Sequence, residues 1–226
     1  MTKLQKNVSS LLFVVFLLLA GFLLPHKPIA PQPKNLTAVL GEASQQNNLT
    51  ELQIEPEAGK GFLLEKLNSA TKSIHLSIYI LSDQEIINSL IAAHQRGVEV
   101  KVLLENSPFG GGGLNKVALK KLQEAGVAVK EPPALIALLH QKSLIIDDSQ
   151  LVILTLNLSE AAFSKNREYS LTDRTPQDVL EAEAIFQADW NRQPYQARAI
   201  QLVVSPANSR EKITSLLISA NKMIDI

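Results

Sequence analysis

Cysteine is absent from this 226-residue chain. Its absence excludes disulfides, cysteine nucleophiles and thiolate metal sites, and it leaves the redox compartment without a mark in the sequence. Excess charge is missing too, since 22 Lys and Arg balance 22 Asp and Glu. The balance is uneven along the chain. Lys3, Lys6, Lys27 and Lys34 stand against Glu42 alone before residue 51, leaving 18 basic and 21 acidic residues after it, a net of −3. A body of that sign has no general attraction for nucleic acid, although a local basic groove stays open. The glycine run "FGGGG" at 109–113 lacks the lysine and serine of a P-loop, so it reads as a flexible loop. What the chain does have is apolar residues, 46% of the total, enough for the core of one domain and part of a second.

Residues 1–25 read as a signal peptide or membrane anchor. Lys3 and Lys6 precede "LLFVVFLLLAGFLL" (11–24), an uncharged run that Pro25 ends. Its length falls between a signal-peptide apolar region and a minimal membrane span. The expected placement is membrane-anchored or secreted, with the body outside the cytoplasm. Proline-rich "PHKPIAPQPKN" and polar "GEASQQNNLT" follow, so 26–50 reads as a disordered linker.

From Glu51 strand and helix patterns alternate. "ELQIEP" predicts a strand, 59–70 an amphipathic helix and "SIHLSIYIL" (73–81) a strand. "SDQE" (82–85) has the form of a capping box with Ser82 as cap, opening a helix that Gly97 stops. "VEVKVLLE", "SLIIDD" and "QLVVS" predict further strands, and Thr175-Pro176 starts a helix to about Asn191. His75 sits in a β-rich stretch with no acid nearby in sequence and reads as a core or edge residue. The alternation implies an α/β fold, a mixed sheet flanked by helices, preceded by the N-terminal apolar helix and the tether.

An internal repeat is also visible. At an offset of 150, Leu52, Pro56, Leu67, Ser69, Ala70, Lys72 and Ile74 recur as Leu202, Pro206, Leu217, Ser219, Ala220, Lys222 and Ile224. Residues 51–198 therefore read as one complete lobe, and 199–226 as the start of a second, truncated one.

"LLHQKSLIIDD" (138–148) carries the chemistry. Residues i and i+2 of an extended chain share a face, so His140 and Lys142 project together. An ammonium beside an imidazole suits a phosphate, the lysine holding an oxygen while a neutral histidine attacks phosphorus. Asn157, in "LTLNLS", offers a second donor, and Thr155 and Ser159 offer hydroxyls. Glu168, on the next strand, is suited to accept the imidazole Nδ1–H and fix its tautomer.

His140-x-Lys142, Asp147, Asn157 and Asn166-x-Glu168 together resemble the HKD motif of the phospholipase D superfamily, and "SIHLSIYIL…IINSLIAAHQRGVEVKVLLE" resembles its first strand–helix–strand. The resemblance implies a phosphodiesterase with catalytic residues His140, Lys142, Asp147 and Glu168, and a phosphate site of Lys142, Asn157, Thr155 and Ser159. His140 is the nucleophile, and Asp147 a structural or electrostatic support rather than a proton donor. No metal or other cofactor is implied. Two departures stand out. Leu154 replaces the family's usual glycine, and only one H-x-K is present where the family's site uses two. Either a homodimer completes the site or the chain is an inactive, truncated remnant. The expected reaction is hydrolysis of a phospholipid phosphodiester through a phosphohistidine. Phosphatidyl transfer, as in cardiolipin synthases, and metal-independent endonuclease activity are the alternatives. The apolar N-terminal segment and the acidic body favour a phospholipid and a membrane over nucleic acid.

Overall fold

The computed structural model describes residues 49–109, 113–195 and 201–225. The anchor or signal segment and nearly all of the linker lie outside the described residues. Among the described residues no helix is long and apolar enough to cross a membrane.

Seven strands form one mixed sheet. They are β1 (Thr50–Glu55), β2 (Ser73–Ile78), β3 (Glu99–Leu104), β4 (Ala128–Lys130), β5 (Ser143–Ile146), β6 (Gln150–Leu154) and β7 (Glu168–Asp173), in the order β1-β7-β6-β5-β2-β3-β4. β2, β3 and β4 run parallel, joined through helices α2 (Gln84–Gln95) and α3 (Leu114–Glu124). The other pairings are antiparallel. Strand β2 lies inside the sheet between β5 and β3 and is buried at all six positions, because helices cover both faces of its alternating Ser-Ile-His-Leu-Ser-Ile sequence.

One face of the sheet is covered by α1 (Gly61–Ser69), α2 and α3. Leu63, Leu67, Ile86, Leu90 and Leu122 pack there on Ile74, Leu76, Val102, Leu144 and Val152. The other face is covered by α5 (Pro176–Trp190), whose Val179, Phe186 and Trp190 meet Leu103, Ile145 and Leu151. A short helix α4 (Glu160–Ser164) follows β6.

The cap of α2 differs from the sequence expectation. Asp83, not Ser82, is the cap, and its carboxylate accepts the N–H groups of Glu85 and Ile86. The same carboxylate binds Lys60 at 2.9 Å, and Lys60 also reaches Glu85 and Glu160. An anion at this position serves the helix end and the lysine together, which a serine hydroxyl cannot.

The stretch that repeats residues 51–76 in sequence matches their structure only in part. Its helix α6 (Ser209–Ile218) is present, but residues 201–205 are not a strand. In the first copy β1 gains its ladder from β7, and no equivalent partner exists for 201–205 among the described residues. A helix satisfies its own backbone, whereas a strand needs a neighbour. Ile213 and Leu217 of α6 are 49% and 43% exposed, where their first-copy equivalents Leu63 and Leu67 are fully buried.

His75 is buried between acids that the sequence places far away. Its Nδ1 meets Glu183 of α5 at 2.9 Å and its Nε2 meets Glu99 at 3.1 Å, while its ring stacks on Phe186 at 4.6 Å. Burial favours the neutral ring, yet Glu183 and Glu99 outweigh it, over opposition from Lys101, and hold the pKa above its ordinary value. With both nitrogens facing carboxylates, the imidazolium can donate twice. A raised folded pKa means this stabilisation is fully present below the unfolded value, about 6.5, and is lost as pH rises through the folded one. His75→Asn is expected to cost about 2 kcal/mol at pH 6 and clearly less at pH 9. Urea midpoints of parent and variant across that range give the difference, and a constant gap would refute the ion-pair account.

Candidate active site

The motif histidine stands where the chain enters β5. The loop from β4 delivers Leu139, which is buried, and then His140, which is exposed. Lys142 follows on the same side, only 8% exposed. Its Nζ lies 3.2 Å from the His140 carbonyl oxygen and 3.5 Å from the ring Nδ1. Burial pulls the Lys142 ammonium below its ordinary pKa, and the Glu168 carboxylate opposes that pull. A buried cation with so few partners is poised for an anionic one. The imidazole Nε2 makes no hydrogen bond among the described residues, so this nitrogen is open to a substrate.

Two residues that the sequence reading missed hold the histidine in place. The ring of Tyr79, just past β2, lies 4.8 Å from the His140 ring at a tilt of 54°. Its hydroxyl accepts the Phe109 N–H at 2.5 Å. Glu105, just past β3, is 6% exposed. One of its oxygens accepts the Ser107 N–H at 3.0 Å and the other the Leu139 N–H at 2.9 Å. The loop after β3 and the loop before His140 are thus fastened by a single carboxylate. Buried Asn115 adds to the same corner by donating to the carbonyls of Tyr79 and Glu105, both at 2.8 Å. The available sequence signal was a charged residue closing an apolar strand, "VKVLLE".

Other expected members divide. Thr155, just past β6, donates its hydroxyl to Glu168 at 2.5 Å and accepts the Tyr169 N–H at 2.9 Å. Glu168 is therefore near enough to act on Lys142 electrostatically, but no hydrogen bond joins it to His140. The sheet order gives the reason. Strand β6 lies between β7 and β5, so two strand spacings, about 9.5 Å, separate the carboxylate's strand from the histidine's. Thr155 fills that interval. Asn157 has a buried side-chain oxygen with no hydrogen-bond partner, and its NH2 is the group that could donate to a phosphoryl oxygen. Ser159 occupies the cap position of α4 without a side-chain capping bond.

Asp147 stands apart from these groups, at the other end of β5. Its carboxylate accepts the N–H groups of Thr71, Lys72 and Ser73 and the Thr71 hydroxyl. It ties the β5–β6 turn to the start of β2. The motif aspartate fastens the sheet, at the opposite end of β5 from His140 and Lys142. Among the described residues no group of His, Asp and Glu is arranged to hold a metal ion.

Residues 63–190 match the model of a family described as cardiolipin synthase, phospholipase D-like domain. The mitochondrial cardiolipin hydrolase of Danio rerio is 28% identical over 128 residues, 57% of this chain and 55% of that protein. A phospholipase D of Rickettsia typhi is 31% identical over 126 residues, 54% of this chain and 58% of that one. The chain thus spans little more than half the length of these curated relatives. Among solved structures, the phospholipase D family member Nuc of Salmonella typhimurium superposes with a TM-score of 0.59 at 23% identity, covering 66% of this chain and 98% of that one. That likeness is one of fold.

Proposed function

This chain belongs to the phospholipase D-like family, and on that premise we propose that it is a phosphodiesterase acting on a phospholipid. The observation that carries the reading is the His140–Lys142 pair: an exposed imidazole with a free Nε2 beside a buried ammonium that lacks an anionic partner within bonding distance. Lys142 and the Asn157 amide take the non-bridging phosphoryl oxygens. Nε2 attacks phosphorus, the N–P bond forms, and the bond to the leaving alcohol breaks. At 3.5 Å the Lys142 contact is too long to fix the tautomer of the ring. Once phosphate draws the ammonium away, Nδ1 is free to carry the proton and Nε2 the lone pair. Water then gives a proton to the imidazole that had protonated the leaving alcohol and attacks phosphorus, the N–P bond breaks, and both neutral His140 and the acid are restored.

The leaving alkoxide needs a proton. Lys142 is engaged with the phosphoryl oxygens, and Glu168 is occupied by Thr155. His140 of a second copy, facing the first, supplies that acid, and general acid catalysis of this kind is worth about 10²–10⁴ in rate. Vesicles containing phosphatidylglycerol or cardiolipin and, separately, single-stranded DNA test the substrate. Release of head-group alcohol together with phosphatidate is the expected result. Cleavage of DNA with no lipid product overturns the phospholipid reading, and an active protein that sediments only as a monomer overturns the shared site.

A further inference from the structure

The two loops fastened by Glu105 expose apolar side chains on either side of the histidine. Phe109, after β3, is 93% exposed, and Leu135 and Leu138, before His140, are 69% and 46% exposed. Helix α3 continues the surface with Leu114 and Val117, 46% and 54% exposed. Between the loops lies a groove of about 450 Å³ with two characters, its apolar wall including Pro133, Ile136 and Leu138 and its polar wall Glu105, Glu131 and Arg192. Loops ordinarily turn polar residues outward, so an apolar mouth at a site for a charged phosphate needs a partner with both characters. Exposed Lys116 and Lys120 alternate with Leu114 and Val117 on α3, which sets cations among the apolar groups.

We propose that this mouth docks on a lipid bilayer. Phe109 and Leu135 enter the acyl boundary, and the α3 lysines meet head-group phosphates. The second copy meets the His140 face itself, while the cations interspersed on α3 favour an anionic lipid surface for the loop rim beside it. The inference rests on the phospholipid reading and extends it to a surface.

Trp190 is the chain's single tryptophan and is 8% exposed, so Phe109→Trp adds an exposed reporter against a buried background. Full-length Phe109→Trp protein is mixed with phosphatidylcholine–phosphatidylglycerol vesicles whose acyl chains carry bromine. Quenching of the added fluorescence beyond that of the parent is the expected result. Phe109→Ser with Leu135→Ser is expected to lower hydrolysis of vesicle lipid by at least about tenfold, while the rate on the water-soluble bis(4-nitrophenyl) phosphate stays within about twofold. No added quenching overturns the docking. An equal loss on both substrates overturns it too, as does a loss accompanied by dissociation to monomers, which would make this face a contact between copies. Quenching without any lipid hydrolysis leaves the docking standing and overturns the substrate reading alone.

Discussion

Replacing His140 by asparagine is expected to lower diesterase turnover by about 10⁴-fold or more, the scale seen when a covalent nucleophile is removed. Asparagine is polar and of similar reach, and nothing in the fold depends on the imidazole. The ring is exposed, Nε2 is unbonded, and its contacts are the Tyr79 face and a long approach from Lys142. The variant should therefore melt within about 1 kcal/mol of the parent, since surface changes away from such networks are small. Quenching the parent in alkaline denaturant during turnover of labelled lipid should trap the phosphatidyl group on the protein in an acid-labile, alkali-stable form, and the variant should trap none. Turnover within tenfold of the parent would exclude phospho-His140 as an intermediate.

Asp147→Ala is expected to produce the largest loss of stability, about 2–4 kcal/mol, with the chemistry intact in the molecules that stay folded. Three backbone N–H groups and a hydroxyl converge on this carboxylate, and its own N–H donates to the Ser73 carbonyl at 2.9 Å. Truncation strands those donors. It also leaves alanine at a φ of 52°, a left-handed conformation that asparagine tolerates better. Asp147→Asn should accordingly lose less than Asp147→Ala. Burial would raise this group's pKa, but the N–H groups of Ser73, Lys72 and Thr71 and the Thr71 hydroxyl together hold it below the usual aspartate value. A depressed folded pKa places the contribution above the unfolded value, about 3.9, and removes it as pH falls through the folded one. Denaturant midpoints between pH 7 and pH 3 should show the parent converging on Asp147→Asn only at the acid end. A large fall in turnover per folded molecule would return Asp147 to the chemistry.

These two aspects of one motif show what was legible in the sequence. His140 and Lys142 are two residues apart, and strand geometry alone places them together. Asp147 belongs to the same string of letters, yet its partners are Thr71, Lys72 and Ser73, more than seventy residues earlier. His75 reads correctly as a core residue, but its partners were hidden for the same reason. Its acids lie 24 and 108 positions away, so no local window contains them. The alternating elements and the mixed sheet were readable because periodicity is local. The sheet order was not, and it is the order that puts β6 between Glu168 and His140. Within 201–225 a helix forms but no strand, and strand formation could not be inferred from similarity to β1, because pairing is a property of the neighbour as well as of the sequence.

The edge pairing of β1 has a kinetic consequence. Thr50–Glu55 joins Asp173–Glu168 in six rungs across more than a hundred residues of chain. Contacts of that span close the longest loops and are expected to form late and open early. Glu168 is the partner of Glu55 at the last of those rungs. Refolding should thus restore the β2–β3–β5 centre before the acidic side of the site is in place, and breathing of a single peripheral strand should expose a bare edge on β7 while loosening Glu168. Tension applied to the chain at Thr50 would therefore reach the β7 edge and Glu168 before it reached the core.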